Sequence, residues 1–299
     1  MNLNEIALRS RVAQGIARPV NPAVQAFAEK LAQEAGALAA LFYGSNLRTG
    51  ELDGVLDYYL LLPGPPERGL WPRVSYHEWT FEGADLRAKV ATMSLAKFAE
   101  AAGGSLLDAT IWARFVQPCA VVWSVGEAVR ENVVEALSEA IKVGARLAVA
   151  VGPASGTEKE YWTALFEATY AAEFRMETTS RAHSIIELNA AHFDGMLPMA
   201  LDAGGIAYRA TGPSLSPRLS TAARRATRRW WGLRRLAGRP LNLIRLVRAA
   251  STFEGAARYA AWKIERHTGV PVKVTPWREK HPVLAAPAVM FSVWRALRK

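Results

Sequence analysis

The chain has 299 residues, 51% of them hydrophobic and 21% charged, a globular composition long enough for two or three packed units. Its formal net charge of +10 favours an anionic partner: a nucleic acid, an acidic membrane surface or a nucleotide. One cysteine, Cys119, excludes a disulfide framework or a multi-cysteine metal site. The lack of an apolar signal core, or of any apolar run of roughly 20 residues, makes a soluble or peripheral cytoplasmic protein the expectation.

Asn21-Pro22 opens a helix, with Asn as cap and Pro at the first helical position, and Gly36 ends it. Val24, Phe27 and Leu31 give it one apolar face. Ala37 to Tyr43 is a small apolar run whose length and glycine stop predict a buried strand. Gly44 permits a tight turn and a close backbone approach to a ligand. Ser45 adds a hydroxyl and an N–H suited to phosphate oxygens. A short excursion leads to a second strand, Val55 to Leu62. Near its start stands Asp57, where a carboxylate can hold Mg²⁺.

Pro63 to Pro66 is a rigid turn. Val74 to Phe81 alternates like a half-buried strand, with a slip at His77-Glu78 that predicts a bulge. A turn at Glu82 to Asp85 closes a hairpin into Leu86 to Ala91, which carries Lys89. Ser94 caps a helix ended by Gly103-Gly104. A short helical segment follows with Trp112 and Arg114, and then an apolar strand, Cys119 to Trp123. Helical spacing then takes over. Val133, Leu137, Ile141 and Ala145 form one stripe, and Tyr161, Leu165 and Thr169 another. Ser180 starts a helix expected to run through His192.

Between Ala203 and Phe253 there is no Asp or Glu, while arginine pairs stand beside Trp230, Trp231 and Leu233. That composition suits a helix on an anionic membrane surface, and it would also suit nucleic acid. The apolar stretch from Val283 to Trp294 is too short to span a bilayer but long enough to dip into its interface. The expected organisation is α+β. A nucleotidyltransferase-like mixed sheet with helices covers 1–125, a helical or winged-helix domain 126–205, and a basic membrane-associating helical region 206–299.

Lys89 can meet a triphosphate as a point charge and Arg114 as a bidentate fork. Glu173 and Arg175 read as a surface ion pair of little weight. The five histidines show no metal-ligand spacing, and no Gly-x4-Gly-Lys-Ser/Thr phosphate loop is present. Gly44-Ser45, a spacer and Asp57 resemble the nucleotidyltransferase superfamily, with Tyr59 where a second acid would stand. On these residues alone a surface hairpin with a solvated Asp stays open.

Several further segments resemble one family within that superfamily, the mitochondrial-type phosphatidate cytidylyltransferases, also called translocator assembly and maintenance proteins. They are Tyr43-Gly44-Ser45, Leu56-Asp57-Tyr58, Val74-Ser75-Tyr76, Leu86 to Ser94, Trp112 to Pro118, Tyr170 to Met176 with its acid-Phe-Arg at Glu173 to Arg175, and Asn189 to Phe193. Coverage is about residues 37–195. The sequence departs from that family in a shorter loop, Pro63 to Arg73, and in Asn46, where the family has Gly. The resemblance implies Mg²⁺-dependent transfer from CTP to phosphatidate, giving CDP-diacylglycerol and pyrophosphate. It implies catalytic roles for Asp57 and Lys89 and nucleotide binding by Tyr43, Gly44, Ser45, Arg114 and Arg175. It also implies metal binding by Asp57, with Glu173 and then Asp53 as candidates for a second ligand. The implied partners are CTP, phosphatidate and an anionic membrane surface met through the Arg/Trp-rich tail at the inner face of the cytoplasmic membrane; nucleic acid is not among them. Two alternatives stay open: transfer to RNA or a soluble acceptor, and a non-catalytic membrane- or RNA-binding module.

Overall fold

The computed structural model describes residues 2–69, 72–172, 180–252 and 255–297. Helix α1 (Leu3–Ile16) is capped by Asn2, whose side chain accepts from the Glu5 N–H at 2.8 Å. The sequence reading assigns no helix here. Its apolar stripe is one residue wide, Leu8, Val12 and Ile16, and lies among polar and basic neighbours. All three are buried. Helix α2 (Pro22–Ala35) has the expected ends, with Asn21 accepting from the Ala23 N–H and Gly36 left-handed at φ 60°.

Strand β1 (Ala39–Tyr43) runs into Gly44, and a one-turn helix α3 (Ser45–Thr49) occupies part of the excursion before β2 (Leu56–Leu62). β3 (Arg73–Phe81) and β4 (Ala84–Ser94) form a hairpin. Its two-residue turn, Glu82-Gly83, has both φ angles positive (49° and 82°), the type that matches strand twist. The expected bulge at His77-Glu78 is absent, because the register runs unbroken from Arg73↔Thr92 to Phe81↔Ala84. β3 is an edge strand, and its Glu78 accepts from the Tyr76 hydroxyl at 2.9 Å beside Arg87. A polar residue at a half-open edge therefore needs no bulge to escape the core.

Ser94 caps α4 (Leu95–Ala102) through the Lys97 N–H, α5 (Thr110–Phe115) follows, and β5 (Cys119–Ser124) completes a mixed five-stranded sheet. Its order is β3-β4-β2-β1-β5; β2 and β4 are parallel and the other pairs antiparallel. Strand side chains alternate between two faces. One face, with Phe42, Tyr58, Leu60 and Val90, is packed with Phe27 and Leu31 of α2. The other, with Leu41, Tyr59, Leu61 and Met93, joins a larger core with α1, α4 and α5.

That larger core continues into α6 (Glu127–Val151), where Val133, Leu137, Ile141 and Ala145 are all buried as their spacing predicts. β6 (Gly156–Thr157), α7 (Glu158–Ala172), α8 (Ser180–Leu188), α9 (Ala190–Phe193) and α10 (Met196–Ala203) follow. The helix expected from Ser180 through His192 breaks at Asn189, whose side-chain amide donates to the Ile185 carbonyl at 2.7 Å. β7 (Tyr208–Thr211) and β8 (Ser214–Pro217) lie beyond residue 205, yet they pair with β6 in a small sheet of order β6-β8-β7.

The basic region forms α11 (Thr221–Thr252), α12 (Ala256–Thr268), α13 (Pro276–Lys280) and α14 (Pro282–Leu297). Much of it is part of the fold. Trp231 is buried, and with the half-buried Trp230 it packs against Trp112. Arg234 is buried too; it donates to the Gly104 carbonyl at 2.8 Å and lies 4.0 Å above the Trp230 ring. Among the described residues no helix is long and apolar enough to cross a membrane.

Candidate active site at one end of the sheet

Register brings the site together. Tyr76 pairs with Lys89, Lys89 with Asp57, Asp57 with Tyr43 and Tyr43 with Cys119. Directly opposed residues on paired strands share a face. These five therefore form one row across all five strands, on the face that α5 and α6 cover. At the row's centre Asp57 and Lys89 are only half-buried.

Gly44 turns the chain at the head of this row, with φ 92°. A Cβ there would stand 3.2 Å from Asp57 Oδ2. Both the backbone angle and the carboxylate thus call for glycine. Ser45 is exposed at the start of α3, its hydroxyl 3.3 Å from Asn46 Oδ1. Asn46 in turn donates from Nδ2 to the carbonyls of Glu51 and Asp53, at 3.0 and 3.1 Å, and so braces the loop between β1 and β2. Asp53 itself is exposed.

Arg114 enters from α5. Its Nη1 donates to the Tyr43 hydroxyl at 3.2 Å, and its guanidinium lies 5.2 Å from the centre of that ring. Tyr43 and Tyr59 pack with Phe115 on the aromatic floor of the site. Burial pushes the hydroxyls of both tyrosines well above their usual range, so they act as neutral hydrogen-bonding groups.

The sequence reading missed a further side of the site. α12 lies against edge strand β3. Tyr259 packs on Tyr76 at 5.5 Å, and Arg87 stacks on Trp262 at 5.7 Å. A Cβ at Gly255 would fall 2.9 Å from the Tyr76 carbonyl. This packing sets Lys263 near Asp57 and Lys89, and α11 adds Arg245, which donates to Thr110 Oγ1 at 3.0 Å. The one sequence signal was that Lys263 follows Tyr259 by four residues, which puts it on the helix face that meets β3.

Electrostatically the row is cationic. Burial raises the Asp57 carboxyl above its ordinary value, and the charges of Lys89, Arg114 and Lys263 pull it back. Burial lowers the Lys89 ammonium; Asp57 opposes this, while Arg114, Lys263 and Arg245 add to it. One carboxylate facing four cations is a poor host for a bare metal ion. It suits a polyphosphate, and it suits Mg²⁺ arriving with one, since that ion binds through one or two carboxylates plus phosphate oxygens. No cluster of three or more His, Cys, Asp or Glu able to hold a metal exists among the described residues. Glu173 and Arg175 lie outside those residues. The structure thus brings Tyr43, Gly44, Asp57, Lys89 and Arg114 to one place, with Ser45 at its edge.

The chain matches no protein-family model and no curated protein.

Proposed function

We propose that this protein transfers a cytidylyl group from CTP to phosphatidate, forming CDP-diacylglycerol and pyrophosphate at a membrane surface. In this reading the five-stranded sheet is the nucleotidyltransferase domain. The α6–β8 unit, helices with a small three-stranded sheet, is the winged-helix domain. The observation that carries the reading is the in-register row of Tyr43, Asp57 and Lys89 with Gly44 held against the carboxylate.

The chemistry asks for positioning and charge neutralisation more than for a strong base. An ionised phosphate oxygen of phosphatidate attacks the α-phosphorus of CTP. As that bond forms, the bond from the α-phosphorus to the bridging oxygen breaks, and pyrophosphate leaves with the electron pair. Lys89, Arg114 and Lys263 would hold the charge that gathers on the leaving phosphates. Gly44 and Ser45 would admit the triphosphate close to the backbone, and Asp57 would hold Mg²⁺. When bound, that ion would supply neutralisation of phosphate charge.

A lipid acceptor fits what the tail leaves outward. Leu233, Leu236, Leu243 and Ile244 of α11 are exposed, as are Leu284, Met290, Phe291 and Trp294 of α14, in a region rich in arginine. Apolar residues flanked by arginines suit an anionic interface. Calorimetric titration tests the nucleotide half of the reading. CTP should bind with Mg²⁺ and lose most of its affinity in Asp57→Asn; equal binding by both proteins contradicts the reading. Co-sedimentation with phosphatidate vesicles tests the lipid half. Replacing Leu236, Leu243 and Phe291 with Gln should release the protein. Truncation is a poor test, because removing Ser214 onward also removes β8 and the buried Trp231.

A further inference from the structure

Behind the aromatic floor lies a half-open cavity of about 360 Å³, lined by α1, the α5–β5 connection, α6 and α9–α10. Phe115 and Cys119 separate it from the site, and Val12, Leu137, Ile141 and Met196 supply most of its apolar wall. The size lies within the range of small-ligand sites. Two half-buried guanidiniums, Arg11 and Arg18, stand at its edge. Arg11 donates to the Ala191 carbonyl at 2.7 Å, and Arg18 to the Gly15 carbonyl at 3.1 Å. Neither has a carboxylate partner among the described residues. Two guanidiniums without a counter-charge beside an apolar chamber favour an anion at the rim.

The interior itself carries no charge near neutral pH. His192 donates from Nε2 to the Val116 carbonyl at 2.9 Å, and burial holds its imidazole down to about 4. Burial pushes the Cys119 thiol up to about 12, so it stays protonated. Chamber and rim therefore call for different halves of one ligand.

We propose that this cavity binds an amphiphilic anion, with its apolar chain among Val12, Leu137, Ile141 and Met196 and its carboxylate or phosphate head group on Arg11 and Arg18. The site meets the nucleotide row only at its Cys119 end and does not depend on which nucleotide that row takes.

The test titrates the full chain, below micelle-forming concentrations, with decanoate, decyl phosphate, decanol and inorganic phosphate. Decanoate or decyl phosphate should bind about tenfold or more tighter than decanol or inorganic phosphate, and the tighter of the two names the head group. Arg11→Gln with Arg18→Gln should bring the anion's affinity down to that of decanol. Gly15→Phe supplies a variant that keeps the fold: Gly15 is helical and lines the cavity, and a Cβ there meets nothing within 4 Å. It should abolish binding while leaving the melting temperature unchanged or higher. Equal binding of decanol and decanoate would overturn the anionic part, and equal binding of inorganic phosphate and decyl phosphate the apolar part. Undiminished binding by Gly15→Phe would overturn the location.

Discussion

The two faces of the five-stranded sheet use the same strands for opposite ends. On one face α2 packs over the central strands, so that Leu56, Tyr58 and Leu60 of β2 all meet an apolar layer. On the other, Tyr59 and Leu61 are fully buried while Asp57 is only half-buried. A single strand thus alternates between a sealed core and an open charged row. Period-two alternation allows this. The sealed face fixes the register, and the register places Asp57 beside Lys89 and Tyr43 without spending further core contacts.

Substitutions can break that contrast, and their expected effects fall in order. Asp57→Asn should reduce turnover by about 10³-fold while the fold persists, since it removes the row's carboxylate without changing its shape. The same variant carries a pH signature. Burial raises Asp57 in the folded state above its ordinary value of 3.8. The folded protein therefore takes up this proton before the unfolded chain does. Asp57 then adds stability as pH falls through the raised value, with no further gain below 3.8. Asp57→Asn should lack this gain, which melting curves across the acid range would show. Gly44→Ala should cost about 10²-fold in turnover, as the new Cβ meets Asp57 Oδ2 and the positive φ disfavours any side chain.

On the sealed face, Phe27→Leu should cost about 1–1.5 kcal/mol in denaturant unfolding and leave turnover unchanged. Phe27 packs on Tyr58 and Trp79 in the core on the face opposite the row. Lys263→Gln should have the smallest effect, raising the KM for nucleotide by roughly tenfold or less with little change in melting temperature, because the lysine is exposed and holds only a surface contact with the Tyr259 ring. An equal loss of stability from Lys263→Gln and Phe27→Leu would erase the contrast between the two faces.

Local signals made much of this legible. Asn21-Pro22, Gly36, Ser94 and Gly103 are punctuation whose meaning depends on a few neighbouring atoms, and each sits at the expected helix end. Gly44 and Asp57 were readable because a glycine stop and an isolated acid in an apolar strand are both unusual. Lys263 and Arg245 were not. They reach the site only through the packing of α12 on β3 and of α11 near α5, long-range contacts that leave little trace in spacing. The parallel pairing of β2 with β4, which aligns Asp57 with Lys89, is likewise a property of the whole sheet. Arginine and tryptophan in α11 suggested a surface helix. Trp231 and Arg234 instead face inward, where the guanidinium's terminal nitrogens meet carbonyls and its plane meets the Trp230 ring.

The central claim is that the row in the open half of the sheet transfers cytidylyl to a lipid phosphate. The most direct measurement incubates purified protein with CTP, Mg²⁺ and phosphatidate vesicles and follows CDP-diacylglycerol and pyrophosphate. The account predicts equal amounts of both products from the wild-type chain, loss of both in Asp57→Asn, and no pyrophosphate when phosphatidate is omitted. Transfer that continues without phosphatidate, or wild-type and Asp57→Asn proteins that behave alike, would contradict it.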